Sequence, residues 1–224
     1  MLRKQFQRLI VLAVILVLAW SPTQVRANGK YYMLMFAAQT EPKEVRASHT
    51  FALFVRATEG NAIAETHSIS WMPGNFDIRP LRLTPVAGAN LSLAQTLRWA
   101  GLANARVTMW GPYPIRRELY EMAARQATRL DSRQAEYVVL DRRFRENGAS
   151  NCIHAVSDLD TTQPPLTTGT AFGIEATEMV LEHFRRYILP TTESARWLVE
   201  RLRLNPAEIR VATPAAITAP ARRG

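Results

Sequence analysis

The stretch KYYMLMFAA at residues 30–38 consists mostly of apolar residues, and it predicts a buried β-strand. Residues 48–57 and 65–71 flank the turn-prone sequence Glu59-Gly60-Asn61 and predict a β-hairpin directly after that strand. Strands early in the chain and helical segments later are typical of an α+β fold.

The helical segments and the remaining short strands follow from hydrophobic spacing and from residues that cap helices. Asn90 is the predicted N-cap of the first helix, and Ser150 and Asn151 are the predicted caps of a helix that starts at Cys152. The predicted helices span residues 91–102, 115–130, a segment after 151, 175–189 and 192–204, and the predicted short strands span 106–110 and 136–140.

The composition is that of a globular protein with one core of its own. Of the 224 residues, 47% are hydrophobic and 21% are charged, and this length supports a single domain of moderate size. Cys152 is the one cysteine, which excludes an intrachain disulfide. We predict a domain at residues 28–204 and a disordered tail at 205–224, which is rich in Ala, Pro, Thr and Arg.

The N-terminal residues have the pattern of a secretory signal peptide. Three basic residues at positions 3–8 precede a twelve-residue apolar run at 9–20, and a polar stretch ends at Ala27. The run is shorter than the roughly 18 to 20 residues that cross a bilayer. We therefore predict cleavage after Ala27 and export to the periplasm or the medium, with a retained membrane anchor as the alternative.

Removal of residues 1–27 would take away four basic residues and no acidic residue, so the formal charge would fall from +9 to +5. A nucleic-acid partner is accordingly not expected.

Two histidines fall in the apolar rows of the predicted hairpin. His49 alternates with Phe51, and His67 alternates with Ile69 and Trp71. If residues whose numbers sum to about 116 to 118 pair across the hairpin, the two histidines share one face within about 8 Å. A bulge or a longer turn would separate them, and the alternative for each is a hydrogen-bonded core histidine.

Cys152 is a candidate nucleophile because it falls in the first turn of a predicted helix. The unpaired N–H groups and the positive end of the helix dipole stabilise a thiolate there, and the N–H groups of Cys152 and Ile153 could stabilise an oxyanion. His49 would then be the base and His67 the group that orients it. The alternative is an inert buried cysteine.

The sequence Asn151-Cys152-Ile153-His154-Ala155 resembles the Asn-Cys-Glu-His-Phe motif of the lecithin retinol acyltransferase family, a relative of the permuted NlpC-type cysteine peptidases and amidases. The order of two histidines before the cysteine is also similar. The resemblance implies a papain-like fold, with an antiparallel sheet packed against helices. It also implies the same three roles for His49, His67 and Cys152.

These features predict an exported thiol hydrolase or acyltransferase that acts on a peptide, amide or acyl substrate through an acyl-enzyme, with no cofactor. Trp71 and Asn151 are the predicted substrate-binding residues. A zinc site at the same His and Cys residues is disfavoured, since no short ligand pair such as C-x-x-C is present. The alternative function is a non-enzymatic exported module that binds an envelope polymer or a partner protein through an aromatic cleft. If the N-terminal apolar segment is retained as a membrane anchor, the expected substrates are membrane lipids or lipid-linked molecules.

Overall fold

The computed structural model describes residues 29–132, 135–139, 150–191 and 195–212. These residues form eight strands and five α-helices, with short 3₁₀ turns at Val45–Ala47 and Arg185–Tyr187. In chain order the elements are β1 (Lys30–Gln39), β2 (His49–Ala57), β3 (Ile63–Ile69), β4 (Trp71–Pro73), β5 (Val86–Asn90), α1 (Leu93–Leu102), β6 (Arg106–Pro114), α2 (Arg117–Asp131), β7 (Glu136–Tyr137), α3 (Cys152–Ser157), α4 (Ile174–His183), α5 (Arg196–Arg201) and β8 (Ile209–Val211).

A five-stranded sheet with the order β3-β2-β1-β6-β8 forms the centre of the fold, and β4, β5 and β7 form a second, smaller sheet. The predicted α+β class is confirmed. The expectation of a purely antiparallel sheet is wrong at one edge, because β8 pairs parallel to β6.

Strand β1 is apolar between its polar end residues, Lys30 and Gln39, because helices cover both faces of the sheet. Met33 and Met35 point into a core built with α2, α3 and α4, whereas Leu34 and Phe36 point into a core built with α1 and α5. Successive side chains of a strand point to opposite faces, so a strand buried on both faces reads as a continuous apolar run.

The hairpin forms as predicted, but its register differs. Phe54 pairs with His67, so the paired residue numbers sum to 121 rather than 116 to 118. The cause is a β-bulge beside the turn, where Ala57 pairs with Ile63 but Arg56 pairs with Glu65, which leaves one extra residue on β3. Residues that pair directly lie on the same face of the sheet. With an odd sum, each pair joins an odd-numbered residue to an even-numbered one, so the two odd-numbered histidines, His49 and His67, lie on opposite faces.

The first helix begins two residues later than predicted. Ser92 caps α1 and forms a capping box with Gln95, while the predicted cap, Asn90, uses its side-chain amide on the edge of the hairpin. The amide accepts a hydrogen bond from the Ser70 N–H and donates one to the Ser68 carbonyl. Asn90 thus occupies backbone groups that a further strand would otherwise bind.

The sheet extends past residue 204, where the sequence predicts the end of the domain. Strand β8, at Ile209–Val211, completes the sheet, and Ile209 is buried against the same core as Leu198 of α5. The predicted helix at 175–189 ends at His183, and the predicted strand at 136–140 is described only up to residue 139.

The remaining boundary predictions concern residues outside the described ranges. The predicted signal peptide at 1–27 and the rest of the predicted tail, 213–224, both lie there. None of the helices in the described part of the chain has the length and apolar character that a membrane span requires.

Candidate functional site

Asn151 fixes the start of α3, as predicted for a helix that begins at Cys152. The Asn151 side chain accepts a hydrogen bond from the His154 N–H at 2.9 Å and donates one to the Val139 carbonyl at 3.0 Å. Both polar ends of the amide are therefore used within the fold, and Asn151 is a helix cap.

The Cys152 thiol lies in the core, between α3 and the sheet. Burial raises its pKa to about 11, although hydrogen bonds from the backbone N–H groups of Thr50 and Ile153, and from its own N–H, partly oppose this. The predicted N–H groups of the helix start are thus present, but desolvation outweighs them. At neutral pH the group is a thiol.

His49 lies on the other face of β2. The alternation of this strand is unbroken from His49 to Ala57 in its pairing with β1, and His49 points with Phe51 toward α1, where its ring lies 5.6 Å from that of Trp99. Thr50, whose N–H approaches the thiol, points the opposite way, toward α4. The structure therefore does not bring the imidazole and the thiol together.

A small buried hydrogen-bond network holds the His49 ring. Its Nε2 lies 2.8 Å from the Ser70 hydroxyl oxygen, which also accepts a hydrogen bond from the Thr96 hydroxyl at 2.7 Å. The Nδ1 atom is buried without a hydrogen-bond partner among the described residues. Burial lowers the pKa of His49 to about 3, so the ring is neutral at physiological pH.

His67 lies on the same face as Cys152 but far along the sheet. Its partner on β2, Phe54, is four residues from Thr50, which is on the order of 13 Å along a strand. The ring contacts Tyr120 at a centroid distance of 5.2 Å, and Nε2 lies 3.5 Å from Glu65. His67 therefore does not orient His49.

Trp71 does not line a cleft. It is fully buried, and its indole N–H donates to the Ser150 carbonyl at 3.1 Å. The two histidines, the tryptophan and the cysteine that the sequence singled out thus do not form one site, because His49 faces one core whereas Trp71 and Cys152 lie in the other. Among the described residues, no group of three or more His, Cys, Asp or Glu side chains could hold a metal ion.

A cleft beside the turn of the β2–β3 hairpin has the features of a binding site. We call it the cationic cleft; its volume is about 670 Å³. It lies where β1 begins and β6 ends, beside the turn before β3, the start of α2 and the residues around the start of α5. The described residues that line it are Gly29, Lys30, Tyr31, Tyr32, Asn61, Pro114, Ile115, Arg116, Arg117, Leu189, Thr191, Ala195 and Trp197.

The described charged residues that line the cationic cleft are all basic. Lys30, Arg116 and Arg117 are basic, and none of the described lining residues is acidic. Arg117 pairs with Glu121, one turn further along α2, with Nε 2.6 Å from the carboxylate. Lys30 and Arg116 form no ion pair with any described carboxylate.

The start of α2 adds to this positive potential. Arg116 is the N-cap residue and makes no side-chain cap hydrogen bond, so the first N–H groups of the helix have no capping side chain, while Glu118 in the first turn partly offsets their positive potential. Apolar rings complete the lining, and Tyr32 and Trp197 meet edge to face at 5.7 Å. The cleft thus offers both cations and aromatic surface.

Sequence reasoning missed this site because its residues come from segments that are far apart, between Gly29 and Trp197. One local signal was present. A Pro-Ile-Arg-Arg sequence at a helix start puts Arg116 where Ser, Thr, Asp or Asn is preferred. No protein-family model, no curated protein and no solved structure matches this chain.

Proposed function

We propose that the protein is a non-enzymatic exported binding module that holds an anionic envelope polymer in the cationic cleft. The observation that carries this proposal is the set of three basic side chains at the cleft, with no acidic side chain among the described lining residues. Carboxylate or phosphate groups of the polymer would pair with those cations.

Two of the cations differ from the third in their described ion pairs. Lys30 and Arg116 form none within the described part of the chain, whereas Arg117 is held by Glu121 and contributes less. Exposed ion pairs are individually weak and are screened by salt. The expected affinity is therefore modest for one charged group and increases with the number of groups that a polymer presents together.

The aromatic residues provide the second part of the recognition. Tyr31 and Trp197 are half-buried at the cleft, and such rings pack against the apolar faces of a ligand while their polar atoms stay hydrated. A volume of about 670 Å³ is in the usual range of ligand pockets, roughly 300 to 1,000 Å³. The cleft would therefore take a few repeat units of a polymer.

The thiol-hydrolase hypothesis and the papain-like fold stay predictions. Attack by Cys152 needs a base within hydrogen-bond reach of its sulfur and a path for substrate. His49 lies on the opposite face of β2 with its pKa lowered to about 3, and the thiol is buried with its pKa raised to about 11. Hydrolytic activity that disappears in Cys152→Ala would support the hydrolase instead.

Calorimetric titration with three polymers tests the binding proposal. Polygalacturonate presents carboxylates, polyphosphate presents phosphates, and dextran is neutral. We expect binding of at least one anionic polymer, weakened by added salt, and none of dextran. The two anionic polymers distinguish which group the cleft prefers.

Substitutions then locate the binding site. The double variant Lys30→Gln, Arg116→Gln should lose affinity by about tenfold, since each exposed ion pair contributes up to about 1 kcal/mol. Arg98→Gln on α1 is the matched control, because Arg98 is exposed but does not line the cleft, and Cys152→Ala should bind like the parent. Equal binding of dextran, or parent-like binding by the double variant, would refute the proposal.

A further inference from the structure

The loop between β4 and β5, at residues 74–85, exposes an unusual amount of apolar surface. We call it the apolar loop. Phe76, Leu81 and Leu83 are 49%, 89% and 54% exposed, and they are three of the six large apolar side chains exposed in the described part of the chain. Such clustering on one short loop marks a contact surface more often than chance exposure does.

The apolar loop is held in place by the core. Ile78 is buried against Met72 and Leu91, so the loop is anchored at its middle. The Phe76 N–H donates to the Pro73 carbonyl at 2.8 Å, which closes a turn at the start of the loop. The exposed side chains therefore project from a fixed base.

The backbone at Phe76 adopts an uncommon conformation. Its φ angle is +58°, in the left-handed region that bulky side chains rarely adopt. Strain of this kind persists where the surrounding structure or a function maintains it. In this conformation the Phe76 side chain is 49% exposed.

The apolar loop has a net positive charge, and its arginines lie close in sequence to the exposed apolar residues. Arg79 and Arg82 alternate with Leu81 and Leu83, and Asp77 is the one acidic residue of the loop. Asp77 pairs with Arg79, whereas Arg82 forms no ion pair with any described residue. The net charge complements an anionic surface.

The exposed area is small for a protein partner. Taking about 200 Å² for a whole large side chain, the three residues expose on the order of 400 Å², about half of the roughly 800 Å² that each partner buries in a standard interface. Insertion of a few apolar side chains among lipid headgroups requires no such area, and adjacent arginines can reach the phosphates. The area and the charge thus favour a lipid surface.

We propose that the apolar loop docks the protein on anionic lipid, with Phe76, Leu81 and Leu83 inserted at the level of the headgroups and Arg82 on the lipid phosphates. This docking does not depend on the function proposed for the cationic cleft. The loop follows β4, which begins where β3 ends, whereas the cleft adjoins the turn at the start of β3.

Sedimentation with lipid vesicles tests the docking. The full chain is used throughout, so that the N-terminal segment is the same in every sample. Vesicles of phosphatidylcholine are compared with vesicles that also contain phosphatidylglycerol. We expect stronger binding to the anionic vesicles and a loss of at least about tenfold in Leu81→Ser, Leu83→Ser, since each leucine transfers apolar area out of water.

Two further variants make the test specific. Leu102→Ser removes a leucine that is 84% exposed on α1 and should leave vesicle binding unchanged. Arg82→Gln should reduce binding to the anionic vesicles by about fivefold and leave binding to pure phosphatidylcholine unaltered.

Parent-like binding by the double leucine variant would overturn the proposal, as would equal losses in Leu102→Ser. Failure of the parent to bind anionic vesicles would also overturn it. If that failure were accompanied by self-association that the double leucine variant abolishes, the loop would be assigned to a contact between copies of the chain.

Discussion

Acid should destabilise this protein through the buried imidazole of His49. His49 has a pKa of about 3 in the folded protein because burial disfavours its charged form, while in the unfolded chain it titrates near 6.5. Between those pH values the unfolded chain holds the proton more often, so the free energy of unfolding falls as the pH falls. From about pH 7.5 to about pH 5 the loss from this group is about 2 kcal/mol.

The comparison is made with His49→Phe, measured by guanidinium denaturation at both pH values. Phenylalanine keeps an aromatic ring against Phe51 and Trp99 but cannot take up a proton. Its own effect on stability is present at both pH values and cancels in the difference. Titration of the other histidines, including His183, whose pKa burial also lowers, occurs in both proteins and cancels to first order.

We therefore expect the parent to lose about 2 kcal/mol more than His49→Phe when the pH is lowered. The slopes of free energy against denaturant should agree between the two proteins, which would show that both unfold from states of similar compactness. If the pH-dependent losses agreed within about 0.5 kcal/mol, the conclusion that His49 is buried and neutral would be refuted.

Three other measurements check the described core. Iodoacetamide near pH 7 should leave Cys152 unmodified in the folded protein and alkylate it in denaturant, by mass spectrometry, because the thiol is buried with its pKa raised to about 11; rapid native alkylation would contradict this. Gly88→Ala should lower the free energy of unfolding by about 2 kcal/mol or more in thermal denaturation, since the new methyl group would overlap the Trp71 ring. The methyl group of Gly101→Ala meets no neighbour, so this substitution should stabilise α1 by about 0.5–1 kcal/mol. Equal effects of the two substitutions would contradict the described packing. Asn151→Ala should cost about 1 kcal/mol through loss of the α3 cap, and an unchanged denaturation midpoint would contradict it.

Local signals in the sequence were sufficient for most of the elements. The apolar run at residues 30–38 predicts the central strand, the turn residues 59–61 predict the hairpin, and Asn151 predicts the start of α3. Each depends on the conformational preferences of residues that are close in the chain, and such preferences can be read without knowledge of distant contacts. The α+β class follows from the order of these elements.

The arrangement of the candidate catalytic residues depended on a feature that no local pattern displays. One extra residue in β3 changes the pairing from an even to an odd sum and turns His67 to the face opposite His49. The sequence also could not weigh the burial of Cys152 against its helix N-terminus, because desolvation depends on residues brought in from β2 and from the helices around it.

The sequence by itself thus predicted the central strand, the hairpin, the approximate places of the helices and the residue types that are available for chemistry, but not strands β4, β5 and β8. The tertiary structure decided which of them meet. It separates Cys152, His49 and His67, and it gathers Lys30, Arg116 and Trp197 into one cleft. The reason is that side-chain direction is set by strand register and helix packing, which depend on contacts between residues far apart in the chain.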